Sequence, residues 1–194
     1  MYIANRLRQK LREHRHPDEP WWTSGSVELV DRWLGPRDVV VEFGSGRSTA
    51  WLAKRASSVT SVEHHEGWCE KVRGQLQRAG RSNAEVRLAA DEPEAYVAAA
   101  DDIARPTFIV VDGRHRDVCT RWAMDRVAPG GVILLDDSQR YLPHGGQFTK
   151  RSVPNTPELT PLWEELLPKL AGWRRLTYSD GVSDTTLLVH VPKA

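Results

Sequence analysis

Along the 194-residue chain, short unbroken apolar runs alternate with stretches in which apolar positions recur every three or four residues. Runs such as Phe108-Ile109-Val110-Val111 suit strands buried on both faces, as a parallel sheet requires. The strand-like runs are 38–43, 58–64, 85–90, 107–112 and 131–137, with helical patterns between them near 47–56, 67–79, 92–103 and 115–127. This alternation predicts βαβ units and an α/β fold: a doubly wound, mostly parallel sheet flanked by helices in three α/β/α layers. The C-terminal end departs from it. After a helix at about 157–171, residues 173–191 read as two strands joined through Asp180-Gly181, an antiparallel hairpin that brings the strands to seven. Upstream, residues 3–14 pattern as a short charged helix closed by "HPDEP". Residues 23–35 pattern as a second helix, with Val27, Val30 and Leu34 on one face and Gly35-Pro36 ending it. The expected organisation is an N-terminal helical cap, residues 1–23, on a single domain, 24–194. Segment 138–157 stays irregular, and a loop that long in a small domain is usually functional or disordered.

Composition narrows the class only a little. A 40% hydrophobic and 27% charged chain is an ordinary globular protein, long enough for one real core. A formal net charge of +1, with Lys and Arg dispersed among acids, predicts no nucleic-acid partner. Cys69 and Cys119 lie in helical patterns without metal-ligand spacing and read as reduced thiols, which points to the cytoplasm. The basic start "MYIANRLRQKLREHRH" lacks the apolar core of a signal peptide. No stretch approaches a membrane span, so no membrane partner is expected.

Candidate chemistry gathers at the strand ends. In an open α/β sheet, ligands bind beyond the carboxyl ends of the strands where strand order reverses. Those ends here are Glu42 to Gly46, Glu63-His64, Asp91, Asp112 and Asp136-Asp137, so an acid closes or follows each of five strands. A lone Gly-x-Gly can be a steric strand-to-helix corner, but five acid-bearing ends together are hard to assign to coincidence. "VEFGSGRST" resembles the first motif, and "SVEHH" the second, of the class I S-adenosylmethionine (SAM)-dependent methyltransferases, a Rossmann-like family. The likeness covers nearly all of residues 24–191, hairpin included. It implies that Gly44, Ser45 and Gly46 pass close to the methionine part of SAM, with Ser48 and Thr49 just beyond and Glu42 holding the ammonium end directly or through water. It further implies that Glu63, beside His64, accepts from the ribose hydroxyls, that Asp91 reaches the adenine amino group and that Asp112 touches the cofactor. Ser48 stands where many members keep a third glycine. Asp91 reads equally as a helix N-cap, with Glu94 three residues on.

Asp112 ends the fourth strand, and Asp136 and Asp137 end the fifth, which is adjacent in such a sheet. Converging carboxylates repel and raise their pKa values, which a hard divalent ion would relieve. The spacing is similar to the cation-dependent catechol and caffeoyl-CoA O-methyltransferases, whose magnesium site would fall on Asp112, Asp136 and Asp137. Without a metal, Asp136 or Asp137 would cap the next turn. His115 stands where those enzymes place a general base, and His144, before Gly145-Gly146, is a second candidate. Trp21, Trp22 and Thr23 form either a pocket wall or packing on the sheet edge. The function expected is methyl transfer from SAM to a small-molecule hydroxyl by a chain that could form homo-oligomers. The rivals are a dinucleotide-dependent oxidoreductase, which Thr49 at the sixth position of the turn disfavours, and a methyltransferase-like binding protein without catalysis.

Overall fold

The computed structural model describes residues 2–142 and 160–191. Its elements follow the predicted order: α1 (Tyr2–Arg15), α2 (Ser24–Trp33), β1 (Val39–Phe43), α3 (Arg47–Ala53), β2 (Ser58–Glu63), α4 (Glu66–Arg78), β3 (Ala84–Leu88), α5 (Pro93–Ala98), β4 (Phe108–Val111), α6 (Arg116–Arg126), β5 (Val132–Asp136), α7 (Pro161–Leu170), β6 (Arg174–Ser179) and β7 (Asp184–Val189). β3 stops two residues before its expected end because Leu88 already pairs with Glu63, the last residue of β2. α7 begins at Pro161, which suits a first helical position, and the hydroxyl of Thr160 accepts from Trp163 N. A short 3₁₀ turn, Ser138–Arg140, follows β5.

The strands form one sheet in the order β3-β2-β1-β4-β5-β7-β6. The first five run parallel, and β7 inserts antiparallel between β5 and β6. Successive side chains of a strand point to opposite faces, and here both faces are covered. Phe108 and Val110 of β4, with Val132 and Leu134 of β5, pack against α2, α3 and α4 residues such as Val30, Leu52 and Val72. Ile109, Val111, Ile133 and Leu135 pack on the other side with Tyr96, Trp122, Trp163 and Leu166. That double burial is the reason these strands read as unbroken apolar runs. Cys69 and Cys119 are both buried and neither forms a disulfide. Among the described residues no helix is long and apolar enough to cross a membrane.

From β1 the chain moves outward through β2 and β3, then returns to lay β4 on the other side of β1. The carboxyl ends of β1 and β4 therefore flank the point where strand order reverses, and a crevice opens there.

Candidate active site

The first wall of the crevice is the turn after β1. Gly44 has φ of +99° and donates its N–H to Val62 O at 2.8 Å. A Cβ on Gly44 would lie 2.6 Å from Gly113 N, and one on Gly113 would lie 2.5 Å from the Tyr96 hydroxyl. The loops after β1 and β4 thus touch backbone to backbone, and both glycines are needed for that contact. Gly44→Ala should cost roughly 3 kcal/mol of stability, from overpacking and an unfavourable φ together, read as a lower urea midpoint. Gly46 is different: a Cβ there would meet nothing nearer than Ser48 Oγ at 3.8 Å.

Every N–H of this turn is already committed within the protein. Gly44 N donates to Val62 O, Ser45 N to Glu63 Oε2 at 3.1 Å, and Gly46 N to Thr49 Oγ1 at 3.0 Å. Glu63 ties the turn to the end of β2. Its Oε2 also accepts from Ser45 Oγ, and its Oε1 accepts from the backbone N–H groups of His64 and His65, each at 3.0 Å. Trp68, in the first turn of α4, donates its indole N–H to Ser45 O at 2.6 Å. Together these groups wall a cavity of about 470 Å³ that reaches from Trp21 and Trp68 to Asp112–Arg114.

Of the expected cofactor contacts, Gly44, Ser45, Gly46, Ser48, Glu63, His64 and Asp112 line this cavity. Glu42 and Thr49 do not. Glu42 is wholly buried, its Oε2 accepting from Thr49 Oγ1 and Ser61 Oγ at 2.6 Å each, while its Oε1 has no hydrogen-bond partner among the described residues. The expected direct hold on a ligand's ammonium is therefore corrected: Glu42 braces the turn from behind. Burial raises its pKa to about 7; the hydroxyls of Ser48, Ser61 and Thr49 oppose the rise, and Asp112 adds to it. The folded chain holds this proton between pH 4.5 and 7, where the unfolded chain has lost it. Stability therefore falls as pH rises through that window, by about 3 kcal/mol in full. Urea titrations at pH 5 and pH 8 should show Glu42→Gln losing less stability between the two than the parent. An equal loss would contradict this assignment.

Asp91 also departs from expectation. It is exposed outside the cavity, where Arg114 Nε at 3.2 Å and His115 Nε2 at 2.9 Å engage its carboxylate. Those contacts, the Arg114 bond first, hold its pKa below the usual range. They also explain His115, which takes a left-handed backbone (φ +48°) ahead of α6 and packs its ring against Tyr96. His115 lines neither this cavity nor the one adjoining it, so the structure does not bring it to the chemistry expected of it. His144 lies outside the described residues.

A second cavity of about 490 Å³ adjoins the first, sharing Trp21 and Asp112 with it. Its roof is the inward side of α1, with Tyr2, Arg6, Gln9 and Glu13; its floor is Asp112, Asp136 and Asp137 at the ends of β4 and β5. Asp112 accepts from Trp22 Nε1 at 3.3 Å and from Arg116 Nη2 at 3.1 Å. Asp136 accepts from the Thr185 hydroxyl at 2.7 Å and lies within hydrogen-bonding reach of Asp112. Asp137 takes a left-handed backbone (φ +49°) and accepts from Gln139 Nε2. Burial raises the pKa of Asp112 against the pull of Arg116, and raises that of Asp136 further, with Asp112 and Asp137 adding repulsion. Both carboxyls therefore favour the uncharged form, Asp136 the more strongly, and the two titrate as a pair.

The three acids do converge, but the expected magnesium site on Asp112, Asp136 and Asp137 does not form. Among the described residues no group of three or more His, Cys, Asp or Glu is disposed to hold a metal ion. The relief expected from a cation comes from Arg116, which donates to Asp112 and to the backbone oxygens of Asp112, Gly113 and Asp136. Sequence reasoning also missed Arg47, Trp68, Gly113 and Arg114 as cavity residues; Arg47, Gly113 and Arg114 lie one or two residues beyond a selected strand end, whereas Trp68 comes from the first turn of α4.

Comparison with known proteins adds to this geometry. A family model described as a methyltransferase domain matches residues 41–138, just over half the chain. No curated protein matches the chain. Among solved structures, the chain is similar to the O-methyltransferase TomG from Streptomyces achromogenes, solved with SAM, at 20% identity and TM-score 0.63 over 84% of this chain and 77% of that one. The O-methyltransferase from Bacillus cereus, solved with SAH, is similar at 21% identity and TM-score 0.63 over 84% and 78%. An rRNA methylase from Streptococcus thermophilus is similar at 13% identity and TM-score 0.57 over 86% and 96%. At these identities the likeness is one of fold alone.

Proposed function

The chain belongs to the methyltransferase-domain family, and from that premise we propose that it transfers the methyl group of SAM to a hydroxyl oxygen of a small polar molecule. The observation that carries this reading is the pair of adjoining cavities that meet at Asp112 and Trp21. One suits the cofactor and the other, about 490 Å³, suits a small acceptor.

Two features of the first cavity favour SAM over a dinucleotide. A pyrophosphate needs free backbone N–H groups at the glycine turn, and here all three are spent inside the protein. In addition, the Glu63 carboxylate lines the cavity, where its charge would repel phosphate. Open space at Gly46 leaves room for the methionine portion, and Trp68 and His64 offer flat surfaces beside it.

When bound, SAM supplies an electrophilic methyl group. The chain's own residues do the rest. Trp21 and Asp112, shared by both cavities, align the acceptor for in-line attack. The Asp112–Asp136 pair, once ionised, takes the hydroxyl proton as the bond forms. Residues 1–23 act as the cap over the acceptor cavity, and 24–194 form the catalytic domain. The acidic floor also favours a second reading, in which the acceptor is an amine drawn in as its ammonium. Incubating the protein with SAM and panels of small alcohols, phenols and amines tests both. Release of S-adenosylhomocysteine only with hydroxyl acceptors supports the first reading, and release only with amines supports the second. No release with any acceptor, despite SAM binding, would favour a non-catalytic protein.

A further inference from the structure

Helix α1 is docked inside out. On a surface helix the apolar stripe ordinarily faces the protein. Here Ile3, Leu7 and Leu11, spaced four apart and so on one face, are 69%, 57% and 56% exposed. The inward face is polar instead. Arg12 donates to Trp22 O and pairs with Glu19, Glu13 O accepts from Arg47, and Asn5 sits against Gly181 at the β6–β7 turn. No residue of α1 is buried. The helix carries Arg6, Arg8, Lys10, Arg12 and Arg15 against a single acid, Glu13, a net +4; since the whole chain is +1, the remainder is −3. Helical geometry sets Lys10 on one flank of the stripe and Arg8 and Arg15 on the other, and all three are exposed.

We propose that this face of α1 rests on an anionic lipid surface, with Ile3, Leu7 and Leu11 entering the headgroup layer and the flanking cations meeting lipid phosphates. The pattern of aliphatic stripe and basic flanks is that of a helix lying in a membrane interface. A second copy of this chain fits less well: pairing two such faces sets Arg8, Lys10 and Arg15 against the same three cations, and three apolar side chains fall short of the roughly 800 Å² per partner of a stable interface. This contact is separate from any membrane span and from the methyl-transfer reading, so either can fail without the other.

The test uses the full chain, co-sedimented with phosphatidylglycerol/phosphatidylcholine vesicles and with pure phosphatidylcholine vesicles. We expect at least tenfold more protein on the anionic vesicles, a loss of most of it at high salt, and at least a fivefold drop for Leu7→Gln/Leu11→Gln. That double variant should melt at the parent temperature, because both side chains are already exposed. No vesicle binding, or equal binding to neutral vesicles, overturns the proposal. So does a dimer in sedimentation equilibrium that Leu7→Gln abolishes, because the face would then belong to a second copy.

Discussion

Asp136→Asn should lower turnover by about two to three orders of magnitude and leave SAM affinity within about twofold. Asp136 lines the acceptor cavity but not the cofactor cavity, so its removal should spare the first binding step. The amide keeps the carboxyl's shape and can still accept from Thr185, whose hydroxyl lies 2.7 Å away. Its NH₂ can point toward Asp112, which lies within hydrogen-bonding reach. The fold should tolerate the change well, because burial and neighbouring acids already favour the uncharged form at this position. What is lost is one half of the proton acceptor. In the parent enzyme the pair must be ionised to act, so activity should rise with pH through its raised pKa, and Asp136→Glu should retain part of the rate. Single-turnover rates with saturating SAM, beside melting temperatures, check this. A near-normal rate for Asp136→Asn would take proton transfer away from the pair.

Gly46→Val should weaken SAM binding by roughly ten- to a hundredfold while leaving the melting temperature nearly unchanged. The backbone at Gly46 is extended (φ 179°), which any residue adopts, and a Cβ there has no protein atom within 3.8 Å. A side chain added at this point fills cavity space and meets the ligand rather than the fold. An overpacked contact costs about 1–3 kcal/mol, and each 1.4 kcal/mol is tenfold in affinity. Gly44 makes the contrasting case, since its Cβ would enter the backbone of Gly113. The two glycines of one motif thus answer to different demands, and the pair of variants separates them. If Gly46→Val binds SAM as tightly as the parent, the ligand does not pass over this turn.

The alternation of apolar runs and helical stretches was enough to read the sheet, its terminal hairpin and the position of the crevice, because strands buried on both faces leave an unmistakable pattern. The strand-end acids were legible too, and Glu63, Asp112, Asp136 and Asp137 all face a cavity. What each acid does there depended on partners distant in sequence. Glu42 gives its carboxylate to Ser61 of β2 and Thr49 of α3, and no local pattern announces that it turns away from the crevice. Asp91 is captured by Arg114 and His115, more than twenty residues on, which removes one expected cofactor contact and one expected base together. The cation expected among the carboxylates is replaced by Arg116. Its spacing of four from Asp112 is a familiar ion-pair signal that went unused because Asp112 precedes the helix rather than lying on it. For α1, the period marks the apolar stripe but carries no information on which face docks. The inversion emerged only from the polar contacts of Asn5, Arg12 and Glu13.

Calorimetric titration of the protein with SAM and, separately, with NAD tests most directly what the glycine turn was built to hold. Saturable binding of SAM at one site, weakened in Gly46→Val and in Glu63→Ala, with no heat from NAD, is the result predicted from a turn whose N–H groups are all occupied. Tight binding of NAD with none of SAM would mean that a phosphate displaces Glu63 from those groups, and would contradict it.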